Sequence, residues 1–121
     1  MLFLEYPTCS TCQKAKKWLD AHALSYTARH IRDEKPSYGE LKCWHSASGL
    51  PLKKFFNTSG QVYKALGLKD RLPDMSEDEQ IALLATDGML GKRPILITDG
   101  EDGQPGRVLV GFKEAQWEEI L

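Results

Sequence analysis

The spacing of apolar positions changes several times along the chain, and each change marks an element. Leu2, Phe3 and Leu4 form a short apolar run before Pro7, which predicts a strand over Leu2–Tyr6. From Ser10 the period lengthens, and Ala15, Trp18, Leu19 and His22 recur at helical spacing. Ser25–Ile31 (SYTARHI) then alternates β-branched and aromatic residues with polar ones, the pattern of a second strand. Strand, turn, helix and strand in this order read as a βαβ unit with a parallel pair.

Two helix starts follow. Ser37 with Glu40, and Ser76 with Glu79, both fit the capping box, in which each side chain satisfies an orphan N–H at a helix terminus. The first helix carries Tyr38, Leu41, Trp44 and His45 on one face. The second carries Ile81, Leu83 and Leu84 and is expected to end near Gly88 as a left-handed C-cap. Between them, short helices are expected around Leu52–Phe56 and Gly60–Leu66. In the final third, Ile95–Thr98 reads as a buried strand, Asp99–Gly106 (DGEDGQPG) as turn, and Val108–Val110 as the return strand of a hairpin. Gly111–Leu121 closes the chain as a helix, with Phe112, Trp117, Ile120 and Leu121 directed to the core. The fold class is therefore α/β: a four-stranded mixed sheet flanked by helices, with a helical insertion between the βαβ and ββα halves. Residues 1–121 are expected to form a single domain.

Charge narrows the function classes. Sixteen basic against seventeen acidic residues give a net charge of −1, so no global basic field recommends direct nucleic-acid binding. No apolar run approaches a membrane span, and MLFLEYP lacks the basic region and long apolar core of a signal peptide. Three cysteines are an odd set for a disulfide scaffold, which favours a reducing, cytoplasmic setting.

The closely spaced pair in YPTCSTCQKAKKW carries the chemistry. Cys9 and Cys12 could form a structural staple, half of a metal site or a redox centre. Zinc needs four ligands, and Cys43 and His45 are the only obvious partners, at irregular spacing on a helix; no metal site is expected. A CxxC beside a βαβ pattern, at the carboxyl end of the first strand, points to a thioredoxin-like redox motif. Cys9 stands where the first helix begins, and its orphan N–H groups and dipole favour a thiolate. Lys14, Lys16 and Lys17 add positive charge nearby. Cys12, one turn on, is placed to resolve a mixed disulfide formed at Cys9. Thr8, Ser10 and Thr11 can shape the turn or donate to an anion. Pro94, preceding an apolar strand, can hold a cis bond and present backbone to a bound partner, and Arg93 can contact an anion or the thiolate.

CSTC after a short strand, FFNTSG in the helical middle, the DGMLGKRPILI stretch and the closing VGFKEAQWEEIL resemble the arsenate reductase (ArsC)/Spx family along essentially the whole chain. The resemblance implies a thioredoxin-like fold with a helical insertion and a cis proline in the Arg-Pro-Ile segment, matched here by Arg93 and Pro94. It implies Cys9 as nucleophile acting on a small oxyanion or disulfide substrate. Electrons would come from an external thiol reductant (glutathione, glutaredoxin or thioredoxin), with no bound cofactor. The reductase branch uses further arginines on the oxyanion; Asn57 and Gly111 stand where these are expected. The Spx branch implies instead a redox-sensing regulator that binds the RNA polymerase α subunit, and Gly49 lies in the region of that contact.

Overall fold

The computed structural model describes residues 1–121. Strand β1 (Leu2–Glu5) leads into helix α1 (Ser10–Ala21) and strand β2 (Thr27–His30). The helical block comprises α2 (Tyr38–Ser48), a 3₁₀ turn (Leu52–Phe55), α3 (Gln61–Ala65), α4 (Leu68–Arg71) and α5 (Glu77–Leu84). A second 3₁₀ turn (Leu72–Asp74) links α4 to α5. A third, Gly88–Leu90, precedes the hairpin β3 (Ile95–Asp99) and β4 (Pro105–Val110), and α6 (Glu114–Trp117) follows. The sheet order is β2-β1-β3-β4, with β1 parallel to β2 and the other neighbours antiparallel.

The period-two pleat sends alternate side chains to opposite faces. Phe3, Leu96 and Leu109, paired across three strands, face α1 and pack with Ala15, Trp18, Leu19 and Trp117. Leu4, Ile95, Ile97 and Val108 face the other way, against Leu41, Trp44, Phe55, Phe56 and Ile81 of the helical block. Both faces of the central strands are covered, which is why β1 and β3 read as unbroken apolar runs rather than alternations. The arrangement leaves the carboxyl end of β1 and the start of α1 at one end of the central strands.

Both capping boxes form. Ser37 Oγ accepts from the Glu40 N–H at 3.1 Å while Glu40 Oε1 accepts from the Ser37 N–H at 3.0 Å. The same reciprocal pair joins Ser76 and Glu79 at 3.2 and 3.0 Å. Helix α5 is too short to persist on propensity alone. Ser76→Ala is therefore expected to cost about 1 kcal/mol of stability, read from the urea midpoint.

Three expectations are corrected. Gly88 is not a left-handed C-cap: α5 ends at Leu84 with Ala85 in the right-handed helical region, and Gly88 opens the following 3₁₀ turn without positive φ. The last helix is short, continuing after Trp117 only as a 3₁₀ turn, and Leu121 is 62% exposed rather than turned inward. Trp117 anchors this segment, fully buried with Nε1 donating to the Gly111 carbonyl at 3.1 Å, and the partly buried Phe112 and Ile120 pack against the same cluster as expected. Tyr38 also lies largely outside the core, its hydroxyl donating to Asp78 at 2.9 Å.

Candidate functional site

Pro7 and Thr8 carry the chain out of β1 in a turn closed by the Cys9 N–H donating to the Tyr6 carbonyl at 2.8 Å. That turn delivers Cys9 to the N-cap position of α1, with extended φ/ψ of −75° and 124°. The half-buried Cys9 sulfur makes no capping hydrogen bond in this geometry, yet the Cys12 and Thr11 amides lie close enough to support its thiolate. Cys12, one turn along, is fully buried, and its Sγ accepts from the Tyr6 N–H at 3.5 Å.

The two thiols are driven apart. Burial pushes Cys9 up, but the stabilisation its thiolate draws from the nearby Cys12 amide and thiol, the Thr11 amide and the Arg93 charge outweighs it, leaving Cys9 below the ordinary thiol range. For Cys12, burial dominates; with the hydrogen bond to Cys9 and the charge of the Cys9 thiolate it overcomes the Tyr6 N–H and Arg93, pushing the thiol up to about 12. The stability consequence follows in sign. Below pH 9, the ordinary value for a thiol, Cys12 is protonated in both folded and unfolded chains and its contribution is fully present. As pH rises from 9 towards about 12 the unfolded thiol ionises first, so folding stability is lost across that window. The reduced protein should therefore lose urea resistance above pH 9 more steeply than Cys12→Ala, and parallel slopes would contradict it.

Arg93 reaches this corner from the loop before β3. Its Nη1 donates to the Met89 and Gly91 carbonyls at 3.2 and 3.3 Å, and its guanidinium lies 5.2 Å from the centroid of the Tyr6 ring. No carboxylate pairs with it. The Arg93–Pro94 peptide is cis, and the buried Pro94 accepts the Gly111 N–H on its carbonyl at 2.8 Å. Thr8, Ser10 and Thr11 are exposed around the turn, and only Thr11 lines the adjoining cleft.

Other candidates fall elsewhere. Lys14 and Lys17 point to solvent, and Lys16 pairs at 3.4 Å with Glu5, the one buried charged residue. None of these lysines contributes to lowering Cys9. Cys43 lies half-buried in the wall of a separate cavity between α2 and the β3–β4 hairpin, and His45 packs edge-on against Phe55. Asn57 accepts from Ser59 Oγ at 3.3 Å and stays out of the cleft that its neighbours Phe56 and Thr58 line. Gly111 lines the cleft with φ of +78°.

Sequence reasoning missed Tyr6. Its amide, carbonyl and ring contact Cys12, Cys9 and Arg93 respectively. Its place between a strand and Pro7 was the only available signal.

Comparison with known proteins places this architecture. A profile of the ArsC family matches residues 4–120. The chain belongs to the ArsC family. Among ArsC relatives, the uncharacterized protein YusI of Bacillus subtilis is 56% identical over 98% of this chain and 96% of its own. The regulatory protein MgsR of the same organism is 34% identical over 80% and 75%. The global transcriptional regulator Spx of Staphylococcus epidermidis is 29% identical over 95% and 82%. An ArsC family related protein from Bacteroides fragilis superposes with a TM-score of 0.92 at 57% identity, covering 99% of this chain and 96% of the other. A Streptococcus mutans structure described as a possible arsenate reductase gives 0.86 at 46% identity, covering 99% and 97%. The four-stranded mixed sheet of this ArsC chain is accordingly the thioredoxin-like fold.

Proposed function

We propose that this ArsC-family chain, acting as one domain in the cytoplasm, is a thiol–disulfide redox protein in which Cys9 attacks and Cys12 resolves. The observation that carries this reading is the opposed ionisation of the pair: Cys9 is lowered and half-exposed, while Cys12 is buried and protonated beside it. The reactive species is the thiolate, so the outer sulfur is the nucleophile and the inner one waits. The Cys9 thiolate attacks one sulfur of a substrate disulfide, that S–S bond breaks, and the other half leaves as a thiolate. Cys12 then loses its proton and attacks the Cys9 sulfur, releasing the second half and closing a Cys9–Cys12 disulfide. Two electrons pass to the substrate, and an external thiol (glutathione, glutaredoxin or thioredoxin) restores the dithiol; no bound cofactor enters. Arg93 supports the Cys9 thiolate and an anionic substrate, and Thr8, Ser10, Thr11 and Pro94 form the surface the substrate meets.

Arsenate fits this site less well than a disulfide. A compact oxyanion is best held by converging arginine forks, and here Arg93 stands alone, with Asn57 turned away and no side chain at Gly111. A second reading rests on the relatives MgsR and Spx, which are named as regulators. On that reading the disulfide is a switch and the partner is the RNA polymerase α subunit. The deciding experiment follows reductant consumption by the purified protein with arsenate and with a mixed glutathione disulfide, alongside Cys9→Ser. Turnover lost in Cys9→Ser supports an enzyme. No turnover, from a disulfide that still forms and reduces cleanly, replaces it with the switch.

A further inference from the structure

Five cations line the cleft that opens beside the redox pair: Lys53 and Lys54 from the first 3₁₀ turn, Lys92 and Arg93 from the loop entering β3, and Lys113 before α6. Thr11 of α1 completes the side towards Cys9. The cleft has a volume of about 530 Å³, and no Asp or Glu lines it. None of the five has a carboxylate within ion-pair distance, whereas Lys16, Arg29, Arg32, Lys42 and Arg107 are all paired. A chain of net charge −1 thus gathers unpaired positive charge into one concavity, drawn from three separate segments. Such a concavity concentrates anions and steers them inward.

We propose that this cleft recognises the carboxylates of a low-molecular-weight disulfide that carries two or more of them, and so selects an acidic disulfide as substrate for Cys9. The inference rests on the thiol–disulfide reading above and deepens it. Size argues for the class: the cleft falls in the range of roughly 300–1,000 Å³ that suits a small organic ligand. A tetrahedral oxyanion would reach two or three of the cations and leave the others unneutralised. A disulfide with carboxylates spread along its length meets them at several points while its sulfurs stay near Thr11 and Arg93. The apolar lining, including Phe56 and Phe112, takes the intervening methylenes. The bond changes are those given above; the leaving half departs as an acidic thiolate, its charge held by the lysines until the Cys9–Cys12 disulfide forms.

The test compares three disulfides on the full reduced chain: 3,3′-dithiodipropionate (dianionic), 2-hydroxyethyl disulfide (neutral) and cystamine (dicationic). Each rate of thiol release is divided by the rate with a free small thiol, which removes differences in leaving group. The dianion is expected to exceed the neutral compound by about tenfold or more at low ionic strength, with cystamine slowest and the order compressed by salt. Charge reversal at Lys53→Glu/Lys54→Glu, and separately at Lys92→Glu/Lys113→Glu, should lower the dianion-to-neutral ratio. These side chains are exposed or lie on loops, and circular dichroism verifies that each variant folds. Equal normalised rates for all three compounds, or ratios indifferent to the reversals, would overturn the inference. Calorimetric binding of dithiodipropionate to Cys9→Ser separates the two levels of the argument. Binding that the reversals abolish supports the cleft even where no disulfide reacts and the redox reading fails. Absence of that binding, with an acidic peptide bound instead, would overturn it in favour of a protein-docking surface.

Discussion

Cys9→Ser is expected to abolish disulfide reduction, lowering the rate by several orders of magnitude, while Cys12→Ser stalls after the first step. The difference follows from what each sulfur faces. The Cys9 sulfur is half-exposed at the helix start, with the Thr11 and Cys12 amides and the Arg93 charge favouring its anion. No other thiol of the chain shares that setting: Cys12 is held protonated by burial, and Cys43 lies on α2 against the separate cavity. Serine at position 9 keeps the size and loses an ionisable nucleophile, so nothing takes over. Serine at position 12 leaves an attacking sulfur but removes the group that would displace the bound half. Mass spectrometry of Cys12→Ser after exposure to a small disulfide should show a stable adduct of one half-molecule on Cys9. Cys12→Ala, which leaves no donor at that position, removes the thiol that supports the Cys9 thiolate, so the midpoint of Cys9 alkylation in that variant should move to higher pH than in the wild type. Iodoacetamide labelling followed across pH reads that midpoint directly. Equal labelling of Cys9 and Cys12 in the wild type, or full turnover by Cys9→Ser, would defeat the assignment.

The parts of this site visible in the sequence are those that lie close together along it. The strand, the CSTC turn and the helix start are contiguous, and the elementary rules for thiolates at helix N-termini put Cys9 and Cys12 in their places without tertiary information. The two capping boxes were legible for the same reason, each being a four-residue device. The four-stranded mixed sheet could be inferred because apolar runs, a crossover helix and a turn-rich hairpin leave few architectures open, whereas its strand order comes from the structure. What local reading missed depends on encounters between distant segments. Lys53, Lys54, Lys92 and Lys113 each look like ordinary solvated charge, and only the fold brings them to one concavity. Tyr6 reads as the end of a strand, although its ring meets an arginine 87 positions on. Leu121 fits a helical face by spacing, but the last helix does not last long enough to turn it inward. Glu5 sits in an apolar strand, and its burial against Lys16 is a matter of how α1 lies over β1.

Gly88 is the sharpest case of this kind, and it carries the largest expected loss of stability. A glycine a few residues beyond a helical pattern suggests a left-handed cap, a role that tolerates Asn and costs alanine only modestly. The structure gives it a different task. A Cβ at Gly88 would sit 1.8 Å from the Ile31 carbonyl oxygen, 2.7 Å from its carbon and 3.0 Å from the Arg32 Cα. All three are backbone atoms, so no rotamer change relieves the overlap. Nor can the partner segment withdraw easily, because Ile31 is buried and its N–H donates to the Glu5 carbonyl at 2.9 Å at the end of β1. Gly88→Ala must therefore push the 3₁₀ turn away from the sheet, opening the core around Leu90 and Ile31. A cost of about 3 kcal/mol or more is expected, in the range of severe core disruptions. The same shift displaces the Met89 and Gly91 carbonyls that hold Arg93, so Cys9 should lose part of its positive neighbour. Gly39→Ala supplies the matched control. Gly39 lies within α2, and an added Cβ there meets nothing within 4 Å. Relieved of glycine's backbone entropy, that helix should gain up to about 1 kcal/mol. Urea unfolding of the two variants should thus move in opposite directions from the wild type. A Gly88→Ala midpoint within error of the wild type would mean that the turn does not press on Ile31 and Arg32, just after β2, as closely as the backbone distances require.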